Sequence, residues 1–162
     1  MSNSEEDGDK SARLTNPALA ALDFLVGEWD MTLSDASFLP DRNQSMAGRV
    51  FFEPIEAGGL LAMRQMAEMA GPPMATWVIG RDGSQGGYVV LYTDDRGVSR
   101  VYQMSFAGSS WQIWRDDPAF SQRFEATVDD DRNVIVGRWE RRSSSGPWEH
   151  DFKVRYRRPG TP

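Results

Sequence analysis

The alternation of hydrophobic and polar positions changes period once along the chain. Leu19, Leu22, Leu25 and Val26 recur at helical spacing on one face of a short segment. Asn16 stands where a cap accepts from free amides, and Pro17 occupies the first turn, where a missing N–H costs nothing. Gly27 ends this helix. From there on the period is two, interrupted by turn clusters such as Gly58-Gly59, Asp82-Gly83, Asp94-Asp95-Arg96-Gly97, Asp116-Asp117-Pro118 and Ser143-Ser144-Ser145-Gly146. The spacing predicts about ten strands, near 28–34, 46–54, 59–68, 74–81, 87–93, 98–106, 109–115, 119–128, 133–142 and 147–157. No gap between them holds a crossover helix, so successive strands pair antiparallel. An open sheet of that size leaves two exposed edges, and closure removes them. The expected fold is therefore all-β: an antiparallel up-and-down β-barrel of about ten strands, with a short N-terminal helix capping one end. Barrels of eight strands are just filled by side chains, so ten leave room for an internal cavity.

Alternation also predicts which side chains point inward. In the last strand Trp148, His150, Phe152, Val154 and Tyr156 share one face, against Glu149, Asp151, Lys153, Arg155 and Arg157. The apolar set belongs inside, which takes His150 with it. In the eighth strand Phe120, Gln122, Phe124, Ala126 and Val128 face in, and Arg123 and Glu125 face out. In the sixth, Tyr102, Met104 and Phe106 share a face with Arg100. The fifth strand is apolar on both faces, so parity does not decide there. The domain reading is a disordered acidic tail over residues 1–13, a single barrel domain over 14–158 and a C-terminal tail over 159–162.

Composition narrows the chemistry. There is no Cys and a single His among 162 residues. Disulfides, iron–sulfur clusters, thiol nucleophiles and Cys-built zinc sites are excluded, as is any site needing two imidazoles. The net charge of −6 argues against general nucleic-acid binding, which depends on neutralising phosphates. The late basic residues Arg141, Arg142, Lys153, Arg155, Arg157 and Arg158 read as the solvated outer face of two neighbouring strands. No apolar run approaches the roughly 18 residues of a spanning helix, and no charged-then-apolar leader opens the chain. The expectation is a cytoplasmic protein without a membrane partner.

The segment Leu22-Asp23-Phe24-Leu25-Val26-Gly27-Glu28-Trp29-Asp30 resembles the opening of calycin barrels. More closely it is similar to a bacterial family of uncharacterised lipocalin-like proteins, a domain-of-unknown-function family. Glu56-Ala57-Gly58-Gly59-Leu60-Leu61 and the closing Trp148-Glu149-His150-Asp151-Phe152-Lys153-Val154-Arg155-Tyr156-Arg157-Arg158 resemble that family too. The resemblance implies a barrel with a Trp packed at its closed end, and implies no particular reaction. Distantly, the chain is similar to fatty-acid-binding barrels and to nitrobindins. The latter are ten-stranded haem barrels whose iron is held by a histidine near the C-terminal strand, and His150 stands in a comparable place. The nitrobindin pattern Gly-x-Trp-x-Gly-x-Gly is incomplete here, because Gly27-Glu28-Trp29-Asp30-Met31-Thr32-Leu33 lacks both later glycines.

These readings converge on a barrel that binds a small apolar or amphipathic ligand. The candidate ligand-binding residues are His150, Gln122, Tyr102, Arg64, Trp148 and Phe124. His150 is the polar end of the expected cavity, because imidazole titrates near neutral pH and can bind, ligate or transfer a proton. Two alternatives follow from it: a haem barrel with His150 as axial ligand, and a small-molecule isomerase or hydratase with His150 as acid/base. No cofactor is expected outside the haem alternative, no catalytic or metal residue is assigned, and a homodimer is left open. Arg64, Tyr102, Arg138 and Glu140 lie on strands whose inward face the pattern leaves undecided. The Met63, Met66, Met69 and Met74 group reads as soft packing. Asp129-Asp130-Asp131-Arg132-Asn133 lacks the spacing and glycine of a calcium loop and reads as a hairpin turn.

Overall fold

The computed structural model describes residues 13–67, 74–84 and 86–161. Residues 1–12, Met69 and the expected turn at Gly71-Pro72-Pro73 lie outside them. Ten strands form one closed antiparallel barrel: β1 (Gly27–Ser34), β2 (Met46–Ile55), β3 (Leu60–Met66), β4 (Ala75–Arg81), β5 (Tyr88–Asp94), β6 (Ser99–Ala107), β7 (Ser110–Arg115), β8 (Phe120–Val128), β9 (Val134–Ser143) and β10 (Glu149–Arg157). Each strand pairs with its sequence neighbours, and β10 pairs with β1 to complete the ring, with Met31 opposite Tyr156. No backbone edge is left unpaired. Among the described residues, no helix is long and apolar enough to cross a membrane.

The N-terminal segment Pro17–Leu25 is a 3₁₀ helix, not an α-helix. Its sequence explains this. Leu19, Leu22 and Leu25 are three residues apart, the period at which 3₁₀ side chains eclipse, and all three are fully buried. Asn16 caps it by accepting from the Ala18 amide at 3.0 Å. The helix plugs the barrel end from which β1 departs. Trp29 seals the seam beneath it, with its indole N–H donating to the Leu25 carbonyl at 2.8 Å. Arg158 leaves β10 and lies across the Trp29 ring, its guanidinium 4.1 Å from the centroid. It donates to the carbonyls of Phe24 (2.5 Å) and Val26 (2.9 Å), groups that the end of the helix leaves without partners, and to that of Glu28 in β1 (3.1 Å).

Two glycines make this end possible. Gly27 has φ +117°, and a Cβ there would stand 2.7 Å from an Arg158 nitrogen. Gly58, at φ +87°, receives the amides of Thr15 and Asn16 on its carbonyl. A Cβ on it would meet the Arg13 carbonyl oxygen at 2.2 Å, so the N-terminal segment crosses over this turn only because it is Gly.

The interior is aromatic. Phe52, Trp111 and Phe124 fill the half nearest the plug, with Trp111 edge-on to Phe124 at 5.3 Å. Gly137 makes room for them: a Cβ there would fall 2.6 Å from Phe124 Cε2. In β5, Tyr88 and Val90 face in while Val89 and Leu91 face out, which resolves the parity left undecided. Asp129 accepts the amides of Asn133 (2.8 Å) and Val134 (3.0 Å), the expected hairpin turn.

Gly27→Ala tests the plug. The substitution forces a strained φ and a clash with Arg158, so it should destabilise the fold by about 1–3 kcal/mol in chemical denaturation. An unchanged denaturation midpoint would show that this corner contributes nothing.

Candidate functional site

Opposite the plug, the interior is not filled. A cavity of about 540 Å³ opens there. Its floor is a cluster of rings contributed by alternate inward positions of β4, β5, β6 and β9. Trp77 packs against Tyr92 (4.5 Å between centroids), Tyr102 (5.2 Å) and Trp139 (5.7 Å). Phe124 stacks on Trp139 at 5.1 Å from below. The walls add Met31, Leu33, Phe152, Val154 and Tyr156, and the mouth adds Phe38, Phe120 and the charged groups Asp94, Asp95, Arg96, Arg100, Arg141 and Asp151.

The turn between β5 and β6 is organised by Asp94. Its carboxylate is 4% exposed. It accepts from the Tyr92 hydroxyl (2.7 Å), from Arg96 Nη2 (2.6 Å) and Nε (3.2 Å), and from the Arg96 amide (3.0 Å). Bonds from Arg96 above all, joined by the Tyr92 hydroxyl, hold the Asp94 carboxyl well below the usual carboxylate range. Burial pushes the Tyr92 hydroxyl well up, and the adjacent Asp94 charge adds to this. The Tyr102 hydroxyl is also pushed up by burial. It donates to Gln122 Oε1 across β7.

The six candidate residues separate into three groups. Gln122 and Tyr102 line the cavity and are hydrogen-bonded to each other. Phe124 is buried beneath the floor and does not line it. Arg64, Trp148 and His150 are not among the lining residues. Arg64 shares the outer face of β3 and bonds Glu53 at 2.5 Å. Trp148 is flanked outside by the guanidinium groups of Arg123 (4.2 Å) and Arg142 (4.7 Å).

The expectation of an inward His150 is overturned, and a bulge is the reason. His150 pairs with Glu140 but Phe152 pairs with Trp139, so Asp151 is an extra residue in β10. An inserted residue reverses the faces on its two sides. Phe152, Val154 and Tyr156 keep the inward parity, whereas His150 and Trp148 join Glu140 and Arg123 outside. Asp151, expected outside, is 7% exposed and borders the cavity. His150 Nε2 lies 2.8 Å from the Asp35 carbonyl oxygen and 3.2 Å from its carboxylate. Ser37 completes the clasp, donating from its amide to the Asp151 carbonyl (2.7 Å) and from its hydroxyl to Asp151 Oδ1 (3.0 Å). The clasp fixes the loop that carries Phe38 onto Phe152, 5.8 Å between ring centroids.

Pattern reading also missed Arg141, assigned to an outer basic face. It shares parity with Ile135, Gly137 and Trp139 and lines the cavity. That parity was the signal available. Nothing in the sequence marked Asp94 beyond a turn, because its importance comes from Tyr92 and Arg96 meeting it in space.

By sequence, no family profile matches this chain and no curated protein matches it. Among solved structures, the crystal structure of Rv2717c from M. tuberculosis is similar, with a TM-score of 0.55 at 14% identity. The match covers 88% of this chain and 97% of that one. At that identity the likeness is one of fold.

Two outcomes follow from this geometry. His150→Ala should speed hydrogen exchange at the Ser37 amide and change global stability by only about 1 kcal/mol. Unaltered exchange in residues 35–39 would refute the clasp. Asp94 is held below its unfolded value of about 3.9, so its contribution is present above that pH and is lost as pH falls. The stability difference between the wild type and Asp94→Asn, measured by urea denaturation, should be constant above about pH 5 and shrink below about pH 4. A gap that stays flat to pH 3 would contradict this reading.

Proposed function

We propose that this protein is a non-enzymatic binding barrel that holds one small amphipathic molecule in the cavity opposite the plug. The observation that carries the proposal is the cavity: about 540 Å³, floored by Trp77, Tyr102 and Trp139 and rimmed by charged groups. Its size and its mix of aromatic walls with a few polar groups are those of small-molecule sites, which run about 300–1,000 Å³. Kinship with the calycin barrels belongs to the same proposal and rests on the run from Phe24 to Trp29.

The two alternatives built on His150 lose their imidazole. A haem iron in this cavity would need an axial ligand that His150, engaged with Asp35 on the outer face, does not offer. The residues present therefore do not fit a haem held by His150. An isomerase or hydratase using His150 as acid/base fails for the same geometric reason, since a proton-transfer group must reach the substrate.

A neutral fluorescent probe, N-phenyl-1-naphthylamine, tests the binding reading. One molecule per barrel should bind, with energy transfer from tryptophan. Ala75→Trp places a bulky ring into the cavity from β4 and should weaken uptake by about tenfold or more. Native mass spectrometry of the protein as purified should show a bound small molecule. A probe that ignores the wild type, or that binds Ala75→Trp equally well, would remove the cavity from consideration.

A further inference from the structure

The rim of the cavity is unevenly neutralised. Asp94 is satisfied by Arg96 and Tyr92. Asp151 accepts from the neutral Ser37 hydroxyl and keeps its charge, and Asp95 also borders the cavity, so the rim carries carboxylates away from the arginine row. Arg100 and Arg141, both lining the cavity, have no carboxylate within salt-bridge distance among the described residues. They are not scattered. Arg100 lies near the Tyr102 hydroxyl, where its charge acts on that group, and over the Phe120 ring at 5.1 Å. Tyr102 donates to Gln122 Oε1. Gln122 is directly opposite Arg141 in the β8–β9 register. The four side chains form one polar row along β6, β8 and β9.

What this row offers is almost entirely donors. Guanidinium groups have no acceptor, and Gln122 has its acceptor oxygen occupied by Tyr102, leaving its amide N–H groups without partners among the described residues. An acceptor-only group with negative charge is the complement, and arginine's planar fork matches a carboxylate in both geometry and charge. The interior behind the row is short. Below Trp77 and Trp139 the barrel is filled by Phe124, Trp111 and Phe52, so no channel continues toward the plug. The walls present ring faces that favour a flat, rigid partner.

Building on the binding reading, we propose that the cavity is selective for a compact aromatic carboxylate. Its head group is received by Arg100, Arg141 and the Gln122 amide, and its ring system lies on Trp77 and Trp139. A long acyl chain does not fit the depth.

Calorimetric titration with naphthalene-2-carboxylate and its neutral counterpart naphthalene-2-methanol separates head-group recognition from cavity occupancy, because the two share one ring system. The carboxylate should bind at least about tenfold more tightly. Arg100→Gln and Arg141→Gln should each remove most of that preference, weakening the acid several-fold more than the alcohol. Arg141→Lys should restore part of it, which sets lost charge apart from a local misfold. Palmitate should bind more weakly than the naphthalene acid. Equal affinity for acid and alcohol, or a preference that survives both glutamine variants, overturns the carboxylate proposal and leaves the cavity reading standing. Palmitate binding as tightly as the aromatic acid overturns the compact body. Failure of both naphthalene compounds and of the neutral fluorescent probe overturns the binding reading as well.

Discussion

Arg158 lying over Trp29 is the contact on which the rest of this barrel depends. A ring of strands has two ends, and something must decide which is sealed. Here the last strand delivers a guanidinium that stacks on the first strand's indole and accounts for two carbonyls at the helix terminus and one in β1. One side chain thus joins both sides of the β1–β10 seam to the plug. Removing such a group would leave buried backbone acceptors without donors, which costs more than a lost hydrogen bond in water. Burial lowers the Arg158 pKa, yet an arginine keeps its charge through any physiological pH, so the seal does not titrate.

Sealing one end leaves the cavity at the other. The interior is filled from the plug outward by large rings, and Gly137 admits Phe124 where any side chain would exclude it. The filling stops at Trp77 and Trp139. Beyond them the side chains that face in are longer and more polar, and a ten-strand circumference leaves a space they do not close. The cavity results from barrel width and from where the aromatic residues end.

One inserted residue does most to shape the mouth. The bulge at Asp151 turns His150 outward, carries an acidic group to the cavity wall and sets up the Asp35–His150 and Ser37–Asp151 contacts that hold the Phe38 loop. Without the bulge, strict alternation would bring the imidazole inside. The site therefore differs from the one that periodicity predicts by a single backbone irregularity, which takes the imidazole out of the cavity.

The strand positions, the antiparallel order, the closure and the capped end were legible in the chain because each is a local property: turn residues, a period of two and gaps too short for a helix. The inward side of Gln122 was legible for the same reason, whereas the pattern left the inward face of the strand carrying Tyr102 and Arg100 undecided. The 3₁₀ form of the helix was written in the spacing of Leu19, Leu22 and Leu25, but it takes the packed barrel end to prefer that period over the α-helical one. The faces of His150, Trp148, Asp151 and Arg141 were decided only by tertiary structure. A bulge is a mismatch between two paired strands, so neither strand's sequence contains it. Likewise the depth of the cavity depends on rings from β2, β4, β7, β8 and β9 meeting across the interior. Alternation says which way a side chain points, and only the assembled barrel determines what it meets.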